Sequence, residues 1–272
     1  MKLDTGTDEL LCEIDVRVAT VTLNKPHKKN ALGDTLTPAL RAILPVLEAR
    51  SDVGCILLTG AGDAFCAGGD ISEMGRNDTA AVSNRAFDDR VEELFERQRT
   101  LTARIYRLSK PTVAALPGAA AGAGLSIALA CDLRVAAETA FLVTAFRNIG
   151  LSGDYGASWF LPRLVGLARA KSLLYRSERI SAAEAHAMGL VDEVFPSASF
   201  RESAFRFAVA LAAGPTAALA RMKINLQTGL EQSLDASLAL EARHMIESAG
   251  SDEAREAIRA FMEKRPPQFH RL

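Results

Sequence analysis

The chain has 272 residues, of which 49% are hydrophobic and 24% are charged, a composition typical of a soluble globular protein. Its 32 lysines and arginines and 33 aspartates and glutamates leave a formal net charge of −1, so no overall positive field favours nucleic acid or an anionic membrane. The four cysteines and four histidines are scattered without metal-ligand spacing, so we expect no metal site.

The N-terminal segment indicates where the protein resides. Met1–Gly6 lacks the apolar core of a signal peptide, and no apolar run is long enough to span a bilayer. We therefore expect a cytoplasmic protein, with reduced thiols and without membrane or nucleic-acid partners.

The N-terminal part of the chain predicts a hairpin, a helix and a buried strand. Leu10–Glu13 and Val16–Leu23 are β-rich runs, and we expect the turn between them at Ile14–Asp15. The apolar spacing of Thr35–Arg50 predicts a helix. Cys55–Thr59 is a short apolar run of the kind found in buried strands.

The middle of the chain alternates between helical and strand-like segments. Phe87–Leu108 predicts one helix, Thr112–Leu116 a second buried strand, Gly122–Ala130 a short helix and Leu133–Ala136 another strand. This alternation predicts α/β architecture with right-handed crossovers.

The last third is mostly helical from Ser181 onward, apart from a short strand predicted at Leu190–Phe195. Thr216–Thr228, Leu230–Ser248 and Asp252–Lys264 are amphipathic and separated by glycines. We expect these segments to form a helical layer that packs against another subunit.

Two glycine-containing segments stand out, each between a predicted buried strand and a helical turn. Ala64–Ile71 reads AFCAGGDI, and Pro117–Leu125 reads PGAAAGAGL. Glycines permit close backbone approach, and a helix start offers free N–H groups. Taken alone, either segment is better interpreted as an ordinary strand-to-helix turn, with Asp70 as the N-cap in the first.

Taken together, these segments have a more specific pattern. Phe-x-Ala-Gly-Gly-Asp, followed by Lys-Pro-x-x-Ala and a small-residue turn that ends in Ala-Cys-Asp, resembles the crotonase (enoyl-CoA hydratase/isomerase) superfamily. Segments 23–32, 150–166, 182–191 and 261–265 resemble further parts of that family. The resemblance therefore covers nearly the whole chain.

The resemblance implies both an architecture and a substrate class. The expected fold is the α/β crotonase (ClpP/crotonase-like) spiral of ββα units over residues 1–195, followed by a helical trimerisation region over 196–272. Homotrimers, or hexamers built as dimers of trimers, are expected. The substrate is expected to be an acyl-CoA thioester, with no cofactor beyond the CoA that the substrate itself contains.

The resemblance also assigns two catalytic backbone groups. The N–H groups of Gly69 and Ala123 correspond to the pair that holds the thioester oxygen in this family. Proton transfer next to a thioester builds negative charge on that oxygen. Two preorganised donors would oppose this charge, each worth about 3–4 kcal/mol by analogy with other oxyanion holes.

The expected CoA contacts come from three parts of the chain. A basic loop corresponds to the nucleotide contacts and contains Lys25, His27, Lys28 and Lys29. The segment expected to line the adenine and pantetheine contains Ala67, Asp70 and Ile71, and the C-terminal pair expected to close over CoA is Phe261 and Lys264. Each lysine could instead be a solvated charge, and the apolar residues could be plain core.

The acid/base residues depart from the hydratase pattern. The two glutamates of typical hydratases correspond to Ser126 and Phe146, so neither position offers a carboxylate. Asp154 corresponds to the catalytic aspartate of some isomerases in the family, although it could instead cap the helix beginning near Gly156. Ser126 could hydrogen-bond a water or an acyl substituent, or bond a carbonyl one helical turn back.

We therefore expect an acyl-CoA enzyme that isomerises a double bond in preference to hydrating one. Phe87, Phe95 and the loop 74–85 are expected to shape its acyl pocket. The alternatives are other acyl-CoA chemistry of the family, namely hydrolysis, dehalogenation or ring closure, and a non-catalytic acyl-CoA-binding protein.

Overall fold

The computed structural model describes residues 1–70 and 86–270, and its strands form two sheets. The larger sheet contains, in spatial order, β1 (Lys2–Leu3), β2 (Leu10–Asp15), β3 (Val18–Leu23), β4 (Cys55–Gly60), β6 (Thr112–Leu116), β8 (Leu133–Ala137) and β11 (Glu193–Phe195). The smaller sheet contains β10 (Ile180–Ser181), β9 (Phe141–Val143), β7 (Ala119–Ala121) and β5 (Ala64–Cys66).

The helices surround these sheets and then continue as a C-terminal group. In chain order they are α1 (Leu36–Ala49), α2 (Phe87–Arg99), α3 (Thr102–Arg107), α4 (Ala123–Ala130), α5 (Ala157–Arg176), α6 (Ala182–Ala187), α7 (Phe200–Ala212), α8 (Thr216–Gly229), α9 (Leu234–Ala249) and α10 (Asp252–Met262). Among the described residues no single helix is long and apolar enough to cross a membrane. The pair Ser197–Ala212 and Thr216–Gly229 reaches that length and composition only together, across a 95° bend.

The two sheets are built from repeated strand pairs. After the antiparallel β1–β2–β3 ribbon, strands β3, β4, β6, β8 and β11 pair in parallel. In the pairs β4–β5, β6–β7 and β8–β9, the first strand joins the larger sheet and the second joins the smaller one. Each pair therefore stacks on the previous one as one turn of a ββα spiral, which confirms the predicted α/β architecture.

The core lies between the larger sheet and the helices that cover it. Every residue of β4 and β6 is buried, because helices cover both faces of this parallel region. Helix α7 packs against β3, β4, β6, β8 and β11 through buried residues spaced four apart, Phe200, Ala204, Ala208 and Ala212. The division between residues 195 and 196 stays a prediction, but this burial favours counting α7 with the core.

Two local expectations differ from the structure. The hairpin turn lies at Val16–Arg17, with φ values of 43° and 63°, and not at Ile14–Asp15, because Asp15 already pairs with Val18. A two-residue turn with both φ values positive suits the twist of a hairpin, but the usual Asn or Gly is missing here, so no turn signal is present in the sequence. The helix expected over Phe87–Leu108 is two helices, α2 and α3, because Leu101 leaves the helical conformation.

Helix α4 begins against β5 at a contact that only glycine fits. A Cβ atom on Gly124 would lie 2.5 Å from the carbonyl oxygen of Cys66 and 2.6 Å from the Cβ of Cys66. Carbon atoms cannot approach that closely, so any side chain at position 124 would push α4 away from β5. The close packing of α4 against β5 therefore requires glycine at position 124.

We predict that Gly124→Ala lowers the free energy of unfolding by about 1–3 kcal/mol, because the added methyl group overpacks the contact with Cys66. Urea denaturation measures this change. Gly229→Ala is the matched control, because its Cβ would meet nothing nearer than the Ser237 hydroxyl at 3.9 Å, and it should leave stability unchanged or slightly higher. Equal unfolding midpoints for Gly124→Ala and the parent chain would contradict this packing argument.

Candidate active site

The two glycine-containing segments meet at one end of the smaller sheet. Strands β5 and β7 pair in parallel, with Ala64 opposite Ala119 and Cys66 opposite Ala120. The segments that follow the two strands therefore emerge at the same edge. Gly69 and Ala123 both line a cavity of about 290 Å³ at this edge.

Small residues allow the two segments to come close together. A Cβ on Gly68, whose φ is +93°, would lie 3.0 Å from the carbonyl oxygen of Ala121 and 3.4 Å from the amide nitrogen of Ala123. Gly122 also has a positive φ, at 51°, just before α4 begins. A side chain at either glycine would be strained, and at Gly68 it would also separate the two backbones.

The N–H groups of Gly69 and Ala123 are available to a ligand. Ala123 is the first residue of α4, where the backbone N–H has no partner in a preceding turn. On either side of Gly69, the Gly68 carbonyl accepts from Leu32 and the Asp70 N–H donates to Leu32. Within residues 1–70 and 86–270, neither the Gly69 nor the Ala123 N–H donates to another protein group.

Asp154 lines the same cavity and has an unusual carboxylate. It lies in the loop that leads into α5, it is half-buried, and its Oδ1 atom is buried without a hydrogen-bond partner in the described part of the chain. Burial raises the pKa of this carboxyl from 3.8 to about 6. A carboxyl with this pKa exchanges protons near neutral pH.

The Asp154 side chain does not cap helix α5. The N-cap residue of α5 is Gly156, and no side chain accepts a hydrogen bond from the first turn of the helix. The main-chain oxygen of Asp154, not its carboxylate, accepts the N–H of Ala157 at 3.2 Å. Capping therefore does not explain this carboxylate.

Two polar side chains fix the backbone around Asp154. The hydroxyl of Ser126, on α4, donates to the main-chain oxygen of Asp154 at 3.0 Å, and it lies 3.3 Å from the Gly122 carbonyl oxygen. The side-chain oxygen of Gln98, on α2, accepts the N–H of Tyr155 at 2.8 Å. Nothing in the sequence singled out Gln98, because α2 and the Asp154 loop are distant along the chain.

Ser126 and Phe146 lie behind the cavity wall and do not line the cavity. Ser126 is fully buried, and its hydroxyl bonds the backbone around it, so its contact with a substrate stays a prediction. Phe146 is also buried, and its ring lies 3.6 Å from the position of a Cβ on Gly153 and 3.9 Å from that on Gly122. The ring thus fills the space between the α4 turn and the Asp154 loop.

The basic loop is anchored by a buried ion pair. Lys25 is buried, and its Nζ atom lies 3.3 Å from Oδ2 of Asp70 and 3.8 Å from Oε1 of Glu9. Lys28 Nζ lies 2.7 Å from the same Asp70 oxygen. Asp70 is therefore the anionic partner of two lysines, and Lys25 is an internal ion pair and not a surface charge.

Asn30 ties this loop to β5 and was not assigned a role from the sequence. It is fully buried with φ 57°, and its side-chain oxygen accepts the N–H of Lys25 at 2.9 Å. Its amide donates to the carbonyl oxygens of Ala61 at 2.9 Å and Ala64 at 2.8 Å. Asparagine suits a left-handed backbone position, which was the signal available in the sequence.

The remaining expected CoA contacts lie at the surface. His27, Lys29 and Ala67 are exposed, and Ala67 donates its N–H to the carbonyl of Lys29 at 2.9 Å. Lys29 also contacts the exposed carboxylate of Asp63 at 2.7 Å. Phe261 and Lys264 are exposed at the end of α10 and do not line the cavity, while Ile71 lies outside the described residues.

The cavity wall on the α1 and α2 side differs from expectation. Phe87 is exposed, and Phe95 lines a separate cavity with Tyr106, Trp159 and Phe160. The loop 74–85 lies outside the described residues. The side chains of these two helices that do line the active-site cavity include Thr37, Arg41, Leu94 and Arg97.

Comparison with known proteins identifies relatives along the whole chain. The sequence profile of the enoyl-CoA hydratase/isomerase family matches residues 13–271. A probable enoyl-CoA hydratase of Rhodobacter capsulatus is 41% identical over 257 residues, which cover 94% of this chain and 96% of the relative. The 1,2-epoxyphenylacetyl-CoA isomerase of Escherichia coli is 35% identical, covering 96% of this chain and 97% of that protein.

Solved structures agree with this assignment. The crystal structure of an enoyl-CoA hydratase from Polaromonas sp. JS666 matches with a TM-score of 0.88 and 34% identity. The match covers 96% of this chain and 99% of that one. The ββα spiral described above is therefore the crotonase fold.

We predict that Asp154→Asn raises the free energy of unfolding above pH 7 by about 1–3 kcal/mol and has little effect below pH 4. The folded-state pKa of about 6 lies above the ordinary 3.8, so ionising Asp154 destabilises the folded state as pH rises through this range. Urea denaturation at several pH values measures the difference between the variant and the parent chain.

The control for this measurement is Asp52→Asn, at an exposed carboxyl whose pKa is lowered by its hydrogen bond to Arg50. This control should give no gain in stability at high pH. A pH-independent difference between Asp154→Asn and the parent would contradict the raised pKa.

Proposed function

The chain belongs to the enoyl-CoA hydratase/isomerase family, and we propose that it moves a carbon–carbon double bond within an acyl-CoA thioester. The observation that supports this reaction best is one cavity lined by two free backbone N–H groups and a half-buried carboxyl with a pKa of about 6. The N–H groups belong to Gly69 and Ala123, and the carboxyl belongs to Asp154.

The thioester oxygen binds between the two N–H groups. When a proton leaves the acyl chain, the electron pair of the C–H bond delocalises into the thioester, and negative charge develops on this oxygen. Donors already fixed by the glycine contacts need no reorganisation as that charge grows, and each is worth about 3–4 kcal/mol. The start of α4 adds a favourable dipole at the Ala123 N–H.

Asp154 carries the proton. Its ionised carboxylate takes a proton from one carbon of the acyl chain and forms the conjugated enolate. The neutral carboxyl then returns the proton to a carbon two bonds away along the conjugated chain, so the double bond shifts while the atoms of the substrate are conserved. Burial suits this role, because a pKa of about 6 leaves the group basic at neutral pH and still able to hold a proton.

Hydration is less well supported than isomerisation. A hydratase of this family uses two glutamates that face one water, and the corresponding residues here are Ser126 and Phe146. The Ser126 hydroxyl is hydrogen-bonded to the backbone, and Phe146 is a buried apolar side chain, so neither residue can activate a water. Asp70 also lines the cavity, but two lysines neutralise its carboxylate.

The CoA moiety binds along the basic loop. Lys28, Lys29 and His27 lie at or near the surface beside Ala67, where they can contact phosphate and adenine. The ion pair of Lys25 with Asp70 joins this loop to the segment that contains Gly69, so CoA binding and the oxyanion hole share one rigid support. No cofactor beyond the CoA of the substrate enters this proposal.

In this proposal the helical C-terminal region forms a homotrimer, and two trimers can pair into a hexamer. Helices α8, α9 and α10 have almost no buried residues in the single chain, and they present apolar side chains that are each more than half exposed. These side chains are Met222, Leu226, Leu230, Leu234, Leu238, Met245, Ile246, Ile258, Phe261 and Met262. A surface of this kind is expected to be covered, and a neighbouring subunit would bring Phe261 and Lys264 over CoA.

We predict that Asp154→Asn lowers kcat for double-bond migration about 10²–10⁴-fold, because the amide cannot accept the substrate proton. The measurement follows 3-enoyl-CoA conversion to 2-enoyl-CoA by NMR, over a series of chain lengths. Asp52→Asn, at an exposed ion pair, is the control and should keep parental activity.

Three results would contradict this proposal. Rapid hydration of 2-enoyl-CoA by the parent protein would favour the hydratase reaction. Tight binding of CoA esters without turnover of any of them would indicate a non-catalytic binding protein. Full activity of Asp154→Asn would remove this residue from the mechanism.

We predict that the protein runs in light scattering at about three or six times the 29.1 kDa chain mass. Ile246→Lys, on the exposed face of α9, should shift the mass toward 29.1 kDa, because a charge would be buried in the interface. Val16→Lys, at an exposed hairpin turn, is the control and should keep the assembly. A parent protein that is monomeric at micromolar concentration would contradict the trimer.

A further inference from the structure

Two arginines line the cavity that contains the proposed oxyanion hole. Arg41 extends from α1 and Arg97 from α2, and both lie on the wall shared with Tyr155 and Asp154. The proposed reaction assigns no role to either guanidinium. An acyl chain made only of carbon and hydrogen would gain nothing from two positive charges in its pocket, since burying a charge without a partner is costly.

Arg41 makes no hydrogen bond and no ion pair within the part of the chain that the structure describes. It is half-buried, and the described carboxylate on which its charge acts is Glu96, which is itself paired with Arg99 at 2.6 Å. Arginine usually binds carboxylate or phosphate through several N–H donors, and it keeps its charge at all physiological pH values. An unpaired guanidinium facing a cavity therefore indicates an anionic group on the ligand.

Arg97 has only a weak partner. It pairs with Glu93 one turn earlier on α2, and both side chains are well exposed, at 45% and 36%. Exposed ion pairs with this spacing contribute little, so a bound anion can replace Glu93 as the partner of Arg97. Burial raises the pKa of Tyr155 most and Asp154 raises it further, while Arg97 and Arg41 lower it, which indicates that both guanidiniums lie near the same phenol.

The other charged groups on the wall leave these cations free for a ligand. Asp70 is neutralised by Lys25 and Lys28, and Asp34 has an interaction of its own. Asp154 makes no ion pair with either arginine in the described part of the chain, and its Oδ1 has no hydrogen-bond partner. The wall on the α1 and α2 side thus presents two guanidinium groups to the acyl pocket, with the carboxylate of Asp34 also in the cavity lining.

We propose that Arg41 and Arg97 bind a carboxylate at the far end of the acyl group, so that the substrate is a CoA monoester of a short dicarboxylic acid. This proposal rests on the proposed acyl-CoA function and adds the substrate class. The cavity of about 290 Å³ accommodates a short chain. The thioester oxygen would lie at Gly69 and Ala123, and the carboxylate would lie between α1 and α2, which fixes both ends of the chain beside Asp154.

Binding calorimetry with saturated esters tests the proposal without any turnover. The probes are hexanoyl-CoA, adipoyl-CoA (the same chain length with a terminal carboxylate) and free CoA. The parent protein should bind adipoyl-CoA at least about tenfold more tightly than hexanoyl-CoA, as expected for charge-assisted hydrogen bonds. In Arg41→Gln and in Arg97→Gln, this affinity ratio should fall to within about twofold of one.

Arg90→Gln is the matched control, because Arg90 is exposed on the same helix as Arg97 and does not line the cavity. The control should keep the parental ratio. Thermal melting of each variant confirms that it is folded.

Two outcomes would overturn the inference. The first is that the parent protein binds the two esters with equal affinity. The second is that Arg41→Gln loses affinity for free CoA and for adipoyl-CoA equally, because this result would show that Arg41 contacts the CoA phosphates. A protein that prefers adipoyl-CoA but isomerises no enoyl-CoA would contradict the reaction and keep the carboxylate site. An active isomerase without this preference would contradict the carboxylate site alone.

Discussion

The parallel pairing of β5 with β7 is the constraint on which the proposed site depends. Three-residue strands contribute few hydrogen bonds, and close contacts at two glycines add to the pairing that positions them. Gly68 lies against the Ala121–Ala123 turn, and Gly124 lies against Cys66. These contacts hold two backbone N–H groups at one cavity without any catalytic side chain. A side chain at Gly68 or Gly124 would push the two segments apart. The N–H groups would then no longer be held in advance in the geometry that makes such donors effective.

The site contains two carboxylates that differ in their partners: Asp70 is paired with lysines, and Asp154 has an oxygen without a hydrogen-bond donor in the described part of the chain. Asp70 is buried with two lysines, so its charge is compensated and it joins the basic loop to the Gly69 segment. Asp154 is held through its backbone by Ser126 and Gln98, while its carboxylate is left without a donor at Oδ1. Hydrogen bonds to the backbone fix the position of Asp154 without lowering the pKa of its carboxyl. Hydrogen bonds donated to the carboxylate itself would lower that pKa. The ionised carboxylate of Asp154 therefore destabilises the folded state, as is common for reactive groups at functional sites.

Agreement between sequence and structure was best where the local pattern and the packing coincide. Strand β6 was predicted to the residue, and α1, β4 and α4 were predicted within one residue at each end. The helical spacing of α1, the continuous apolar runs of β4 and β6, and the glycines or prolines that bound these elements are strong signals. The short strands of the smaller sheet were missed. Three residues such as Ala119–Ala121 have no periodicity, and only pairing with β5 and β9 makes them strands.

The sequence by itself determined the α/β class, the family pattern, the two loops proposed to supply backbone donors, and the absence of carboxylates at positions 126 and 146. These properties depend on residue identity and on short-range spacing, which a chain displays without folding. Tertiary structure alone decided that Lys25 is an internal ion pair, that Ser126 supports the Asp154 backbone, and that Arg41 and Arg97 face the cavity. Each of these depends on burial and on contacts between residues far apart along the chain, and local sequence does not encode such distances.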